Sequence, residues 1–229
     1  MNSRAWALLL LAALAALPAR AEVYLLGPRR GAGAPARSFA ETTEAAELMT
    51  EPAVFNGVET ELRVLLLRQP PEAVLAELRR RFADLTVFAT PGGIALRWPA
   101  GRGRHERVLL AGGGGLGDTT TVFSMILPDA MPPMPAWAEG VPPIPGANAS
   151  EVVEFPARGS RMVTFSGAAE GGAAAERALR AAGFLPLGGG VGPGAAGGAL
   201  YLDAAGREMV MLSIQEDGSG MMMRSRLGR

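Results

Sequence analysis

Thioethers are the most plentiful side chains here that could bind a soft ligand. Beyond Met1 the chain carries ten methionines, and it has no cysteine and a single histidine, His105. A thioether is a soft, neutral ligand suited to Cu(I). Met131 and Met134 flank two prolines, and Met221, Met222 and Met223 are consecutive. Met131, Met134, Met221 and Met223 are therefore the candidate ligands if the protein carries copper. The competing expectation is packing: Met209 and Met211 alternate, as do Met221 and Met223, so each pair on a strand would place two flexible apolar side chains on one face.

Other chemistry is less well supplied. Cysteine nucleophiles, disulfides and zinc thiolate sites are excluded by composition. One histidine excludes any multi-histidine metal centre. A hydrolase would need His105 as its base, yet no Gly-x-Ser-x-Gly elbow presents a nucleophile, and Arg102 to Glu106 reads as a turn with His105 an exposed loop side chain. The run Gly112 to Gly117 matches G-x-G-x-x-G in form. That fingerprint requires a helix to begin at the glycines, whereas the residues that follow, Asp118 to Phe123, are mostly β-branched or aromatic. The run is expected to be a hairpin loop. Glu151, Glu154 and the adjacent Glu216-Asp217 lack the defined gap that a catalytic carboxylate pair needs. No catalytic residue and no cofactor is assigned.

The first residues suggest where the chain works. Arg4 is followed by an apolar run from Ala5 to Leu17, and Pro18-Ala19-Arg20-Ala21 ends with small residues where a signal peptidase reads. The pattern predicts a cleaved signal peptide over 1–21 and a periplasmic or secreted bacterial protein. Thirteen apolar residues fall short of the roughly twenty that span a bilayer, and no cysteine is present for lipidation, so no stable membrane anchor is expected after cleavage.

Removing 21 of the 229 residues leaves 208, enough for one large or two small domains. Every basic residue is arginine, a usage typical of GC-rich bacterial genomes. Loss of Arg4 and Arg20 leaves 20 arginines against 22 acidic residues, a net charge near −2. Nucleic acid, which needs a concentrated basic excess, is not an expected partner.

Residues 22–52 read as a partly disordered N-terminal arm, with a short helix conceivable from Glu41 to Met49. A first lobe spans 53–127. Asn56-Gly57 separates two strand-like runs, a hairpin signal because both turn positions favour positive φ. Pro70 and Pro71 then open a helix with Val74, Leu75, Leu78 and Phe82 on one stripe. Arg79 to Arg81 fall mostly off that stripe, as a solvated face would. Strands follow at Gly93 to Trp98, Arg107 to Ala111 and Thr119 to Leu127.

The segment 128–158 is dense in proline and reads as an extended surface connector anchored by Trp137 and Ile144. Trp137, Pro142, Pro143 and Ile144 are the candidate partner contacts, since proline-rich segments dock into aromatic grooves. A second lobe over 159–229 follows, with a strand at Arg161 to Phe165, a helix from Ala173 to Ala182 closed by Gly183, and strands at Leu200 to Leu202, Glu208 to Ile214 and Met221 to Leu227. The expected fold is thus α+β: two small lobes, each a helix packed on an antiparallel sheet, in a tandem strand-helix-strands order. The expected function is a non-catalytic interaction or assembly module whose partner is another envelope or secreted protein. A methionine-based Cu(I)-binding periplasmic protein and an unrecognised hydrolase are the alternatives.

Overall fold

The computed structural model describes residues 23–24, 45–90, 93–112, 119–168, 170–188 and 197–227. These residues form thirteen strands: β1 (Val23–Tyr24), β2 (Ala46–Phe55), β3 (Val58–Leu67), β4 (Thr86–Thr90), β5 (Gly93–Gly101), β6 (Arg104–Gly112), β7 (Thr120–Pro128), β8 (Asn148–Phe155), β9 (Ser160–Ser166), β10 (Phe184–Gly188), β11 (Gly197–Asp203), β12 (Glu208–Ile214) and β13 (Gly220–Arg226). Two α-helices accompany them, α1 (Pro71–Arg81) and α2 (Gly172–Ala181). The expected pair of α+β lobes, each a helix packed on a sheet, is therefore corrected: the described residues are mostly antiparallel sheet, with only two α-helices among them.

Three physical features hid the extra strands. Residues 46–49, expected as helix, begin the ten-residue strand β2. β8 starts inside the proline-rich segment, at Asn148, because the last proline before it is Pro145 and nothing interrupts pairing until Pro156. β10 contains Pro186, which is tolerated because this strand lies at a sheet edge.

The chain divides into two compact units, Met1–Pro52 with Thr60–Met131, and Ala53–Glu59 with Pro132–Arg229. In the first, neighbouring strands run β1-β4-β5-β6-β7-β3-β2; in the second, the end of β2 is followed by β8-β9-β13-β12-β11-β10. Within each unit the helix leads into a four-strand meander whose last strand returns beside the strand that precedes the helix, β7 beside β3 and β13 beside β9.

Local chemistry explains the turns. Asn56 and Gly57 take φ of 49° and 82°, and Arg102 and Gly103 take 55° and 68°. Both are two-residue turns with positive φ at both positions, which match the twist of the strands they join. Asn56 is locked further, its side-chain oxygen accepting from Val152 N–H at 2.7 Å. Gly183, at φ 87°, ends α2 and donates to the Arg180 carbonyl at 3.0 Å.

Each helix supplies a narrow apolar stripe. In the first unit Val74 and Leu78 bury against Leu65, Leu67, Leu96, Val108, Leu110 and Val122, and Phe82 stacks on Trp98 with centroids 4.6 Å apart. Arg80 and Arg81 turn outward and pair with Glu77. Those two hydrogen bonds hold the Glu77 carboxyl below its ordinary range. In the second unit Ala174, Ala175 and Leu179 pack on Val163, Phe165, Tyr201, Val210 and Leu212. Ala138, Val141 and Ile144 join the same core, so much of the proline-rich segment is integral to the second unit.

Candidate functional site

The sheet of the second unit has two unlike faces. Strand pairing assigns Val163, Met222, Leu212 and Tyr201 to the side that α2 covers. On the other side Leu200 opposes Met211, Met211 opposes Met223, and Met223 opposes Met162. Directly opposed residues of adjacent strands bring their Cβ atoms to about 5 Å. Leu202 and Met209 form a neighbouring pair, and Met221 lies two residues from Met223 on the same side. Five methionines from three strands therefore share one face.

This face grades from closed to open. Met162, Met221 and Met223 are at most 3% exposed. Met209, Met211 and Leu202 are half-buried. At the edge, Leu185, Leu187 and Leu200 are 55%, 56% and 40% exposed. A β-bulge between Pro186 and Gly188 sets Leu187 as an extra residue opposite Leu200, while Leu185 opposes Leu202. The result is a contiguous apolar patch on β10, β11 and β12.

Of the copper candidates, the structure brings Met221 and Met223 onto this face and adds Met162, Met209 and Met211. Met134 is exposed ahead of Trp137 and is not among the paired residues of this face, and Met131 belongs to the first unit. The missing signal was register: alternation places methionines on a face of one strand, but only pairing shows that three strands share it. Among the described residues no group of three His, Asp or Glu side chains could hold a metal ion.

The candidate partner contacts lie on or in the core of the second unit. Ile144 is 3% exposed and Pro142 is buried, whereas Pro143 is exposed. Trp137 is half-buried, its ring 5.9 Å from that of Phe165. Arginines clamp the same segment: Arg161 Nη1 donates to the Glu139 carbonyl at 3.2 Å, and Arg224 donates to the carbonyl of Gly140. These arginines, with Arg226, Glu154, Glu208 and Ser160, line a cavity of about 340 Å³. Arg161 pairs with Glu154 at 3.2 Å, and Arg224 with Glu208. The cavity's charges are thus largely matched internally.

His105 is not the exposed loop residue expected. The tight Arg102-Gly103 turn lets β6 begin at Arg104, which places His105 in a strand with 6% exposure. Its Nδ1 lies 3.2 Å from Asp129 Oδ1 and 3.4 Å from Arg97 Nη2. Burial, with Arg97 second, depresses the imidazole's pKa below its ordinary value, against the opposing pull of Asp129. The nearby carboxylate orients the ring, but no hydroxyl is hydrogen-bonded to it among the described residues. Ser124 instead donates at 2.5 Å to the fully buried carboxylate of Glu106. The glycine run lies outside the described residues from 113 to 118. Its flanks belong to antiparallel β6 and β7, with Gly112 paired to Thr120.

Residues 1–21 also lie outside the described residues. No helix among those described is long and apolar enough to cross a membrane. No family model, curated protein or solved structure matches this chain.

Proposed function

We propose that this is an exported, non-catalytic protein that holds an envelope or extracellular partner by laying a short apolar segment of that partner on the β10–β12 face. The observation that carries the reading is the joint exposure of Leu185, Leu187 and Leu200 on one sheet face. Burying a leucine is worth about 1.5–3 kcal/mol, so three clustered in water are an unused source of binding energy. A patch of this kind marks an interaction surface more often than a lone exposed leucine does.

Patch size argues for the kind of occupant. Three partly exposed leucines and their half-buried neighbours offer on the order of 300–400 Å², well below the roughly 800 Å² per partner of a standard interface. A second copy of this chain would lack the area for a stable dimer. A short segment presenting two or three large apolar side chains fits it. Met209 and Met211 give the patch an adaptable floor, because unbranched thioether chains repack around different shapes. Pro186 removes a donor from the edge strand, which disfavours strand addition and favours side-chain docking. The corresponding edge of the first unit differs, since β4 there pairs with β1. The signal-like segment over 1–21 supports an exported setting.

A photoreactive amino acid at position 187, introduced into the full chain in living cells, tests the proposal. The expected result is one discrete adduct whose cross-linked peptide is short and apolar, lost in Leu185→Asp. That variant should still fold, because an exposed substitution shifts stability by only about 0.5 kcal/mol. The reading fails if the same adduct forms from exposed Leu48, if the adduct is a second copy of this chain, or if none forms. N-terminal sequencing of exported protein tests the address, which fails if the mature chain does not begin near Glu22.

A further inference from the structure

We infer that Met162, Met211 and Met223 form a soft-metal site that takes one monovalent ion, Cu(I), through three thioether sulfurs. The site shares only Met211 with the docking face: its other two ligands, Met162 and Met223, are buried inward of the exposed leucines on the same side of the sheet. Met211 opposes Met223, and Met223 opposes Met162, so the three side chains rise side by side from β12, β13 and β9. Cross-strand neighbours start about 5 Å apart at Cβ. Each thioether arm has three rotatable bonds, enough to converge three sulfurs on one ion above the middle strand.

The surroundings select for charge and softness. Met162 and Met223 are 1% and 3% exposed, so two ligands lie in a dry environment, while half-buried Met211 provides the way in. Three neutral ligands leave the charge of the ion uncompensated. A monovalent ion carries the smallest desolvation cost of that kind, and a divalent one would need anionic ligands. Along the row itself the next residues are Leu200 on one side and Val153 on the other, and flanking hydroxyls on the same face are engaged elsewhere, Ser160 with Ser225 at 3.0 Å and Thr164 with Ser150 at 2.7 Å. Zn(II), Mg(II) and Ca(II) are disfavoured by ligand type, whereas Cu(I) accepts thioethers.

Anaerobic titration of the full chain with Cu(I), against a chromophoric Cu(I) chelator, tests the site. Wild type should withdraw one equivalent. Met223→Leu and Met211→Leu should each weaken the competition by more than roughly tenfold, a change of about 1.4 kcal/mol or more. Leucine nearly conserves volume, so both variants should fold, and a circular dichroism melt of each checks this. Met211 is half-buried, which makes its variant the safer of the two. X-ray absorption at the copper edge should show sulfur neighbours alone. Leu185→Asp should bind copper as wild type does, which separates this site from the docking patch. The inference is overturned if wild type withdraws no copper, if folded Met211→Leu and Met223→Leu bind as wild type does, or if the spectrum shows nitrogen or oxygen ligands.

Discussion

Replacing Ile144 by alanine separates a structural role for the proline-rich segment from a recognition role. Ile144 is 3% exposed in the core of the second unit, beside Val141 and Ala138. The substitution removes three carbons. At about 0.8 kcal/mol for each, transfer alone accounts for roughly 2.4 kcal/mol, and the cavity left behind raises the total to about 2.5–4 kcal/mol. Relaxation is limited because the flanking backbone is held: Val141 N–H donates to Ala138 O at 3.2 Å, Ala147 N–H to Ile144 O at 3.1 Å, and Arg161 and Arg224 grip Glu139 and Gly140. Urea denaturation followed by circular dichroism should show a lower midpoint with an unchanged slope. Pro143→Ala is the control, since Pro143 is exposed and its loss should cost less than about 0.5 kcal/mol. A shift for Ile144→Ala no larger than that of Pro143→Ala would refute the packing argument and return the segment to recognition.

Gly220→Ala should destabilise by about 1–3 kcal/mol, because its Cβ would lie 2.8 Å from the Phe165 ring and closer still to the Ser213 carbonyl; thermal melts check this. Ser124→Ala should cost about 1–3 kcal/mol by depriving buried Glu106 of a donor, an effect that a double-mutant cycle with Glu106→Gln would assign to the pair. His105 should make stability fall as pH drops. Its folded pKa is depressed, so below the unfolded value of about 6.5 the unfolded chain binds the proton first, and the penalty grows until the folded pKa is reached. Proton NMR should find the ring titrating below 6.5, and His105→Gln should flatten the stability profile in that window; a ring that titrates above 6.5 would contradict the dominance of burial.

Signals that depend on neighbours in sequence were legible, and those that depend on pairing were not. Asn56-Gly57, Pro70 and Pro71 at the start of α1 and Gly183 after α2 each impose a local backbone geometry, so the elements they bound were readable from the sequence. β10 was not, because Pro186 argues against a strand unless its place at an edge is known. Arg102 takes positive φ, which arginine rarely does, so the turn closes in two residues and does not run on to Glu106, and His105 falls in a strand and not in solvent. The methionine row was half visible: alternation along β12 and β13 was plain, but which strands lie side by side depends on the long-range return of β13 to β9.

The composition of the edge strand β10 sets what the apolar patch can bind. A sheet edge with exposed leucines is an aggregation hazard, and such edges are blunted by proline or charge. β10 has the proline and the bulge, which break the row of edge donors, yet it keeps Leu185 and Leu187 where charged residues would remove the hazard completely. A sequence that guards its backbone edge while leaving the adjoining side chains apolar excludes pairing with another strand but leaves side-chain contact open. Leu185→Lys/Leu187→Lys should therefore leave the fold intact and raise solubility, at the cost of the partner. If the charged variant keeps its partner, the leucines are surface residues without a role and the proposed docking face is lost with them.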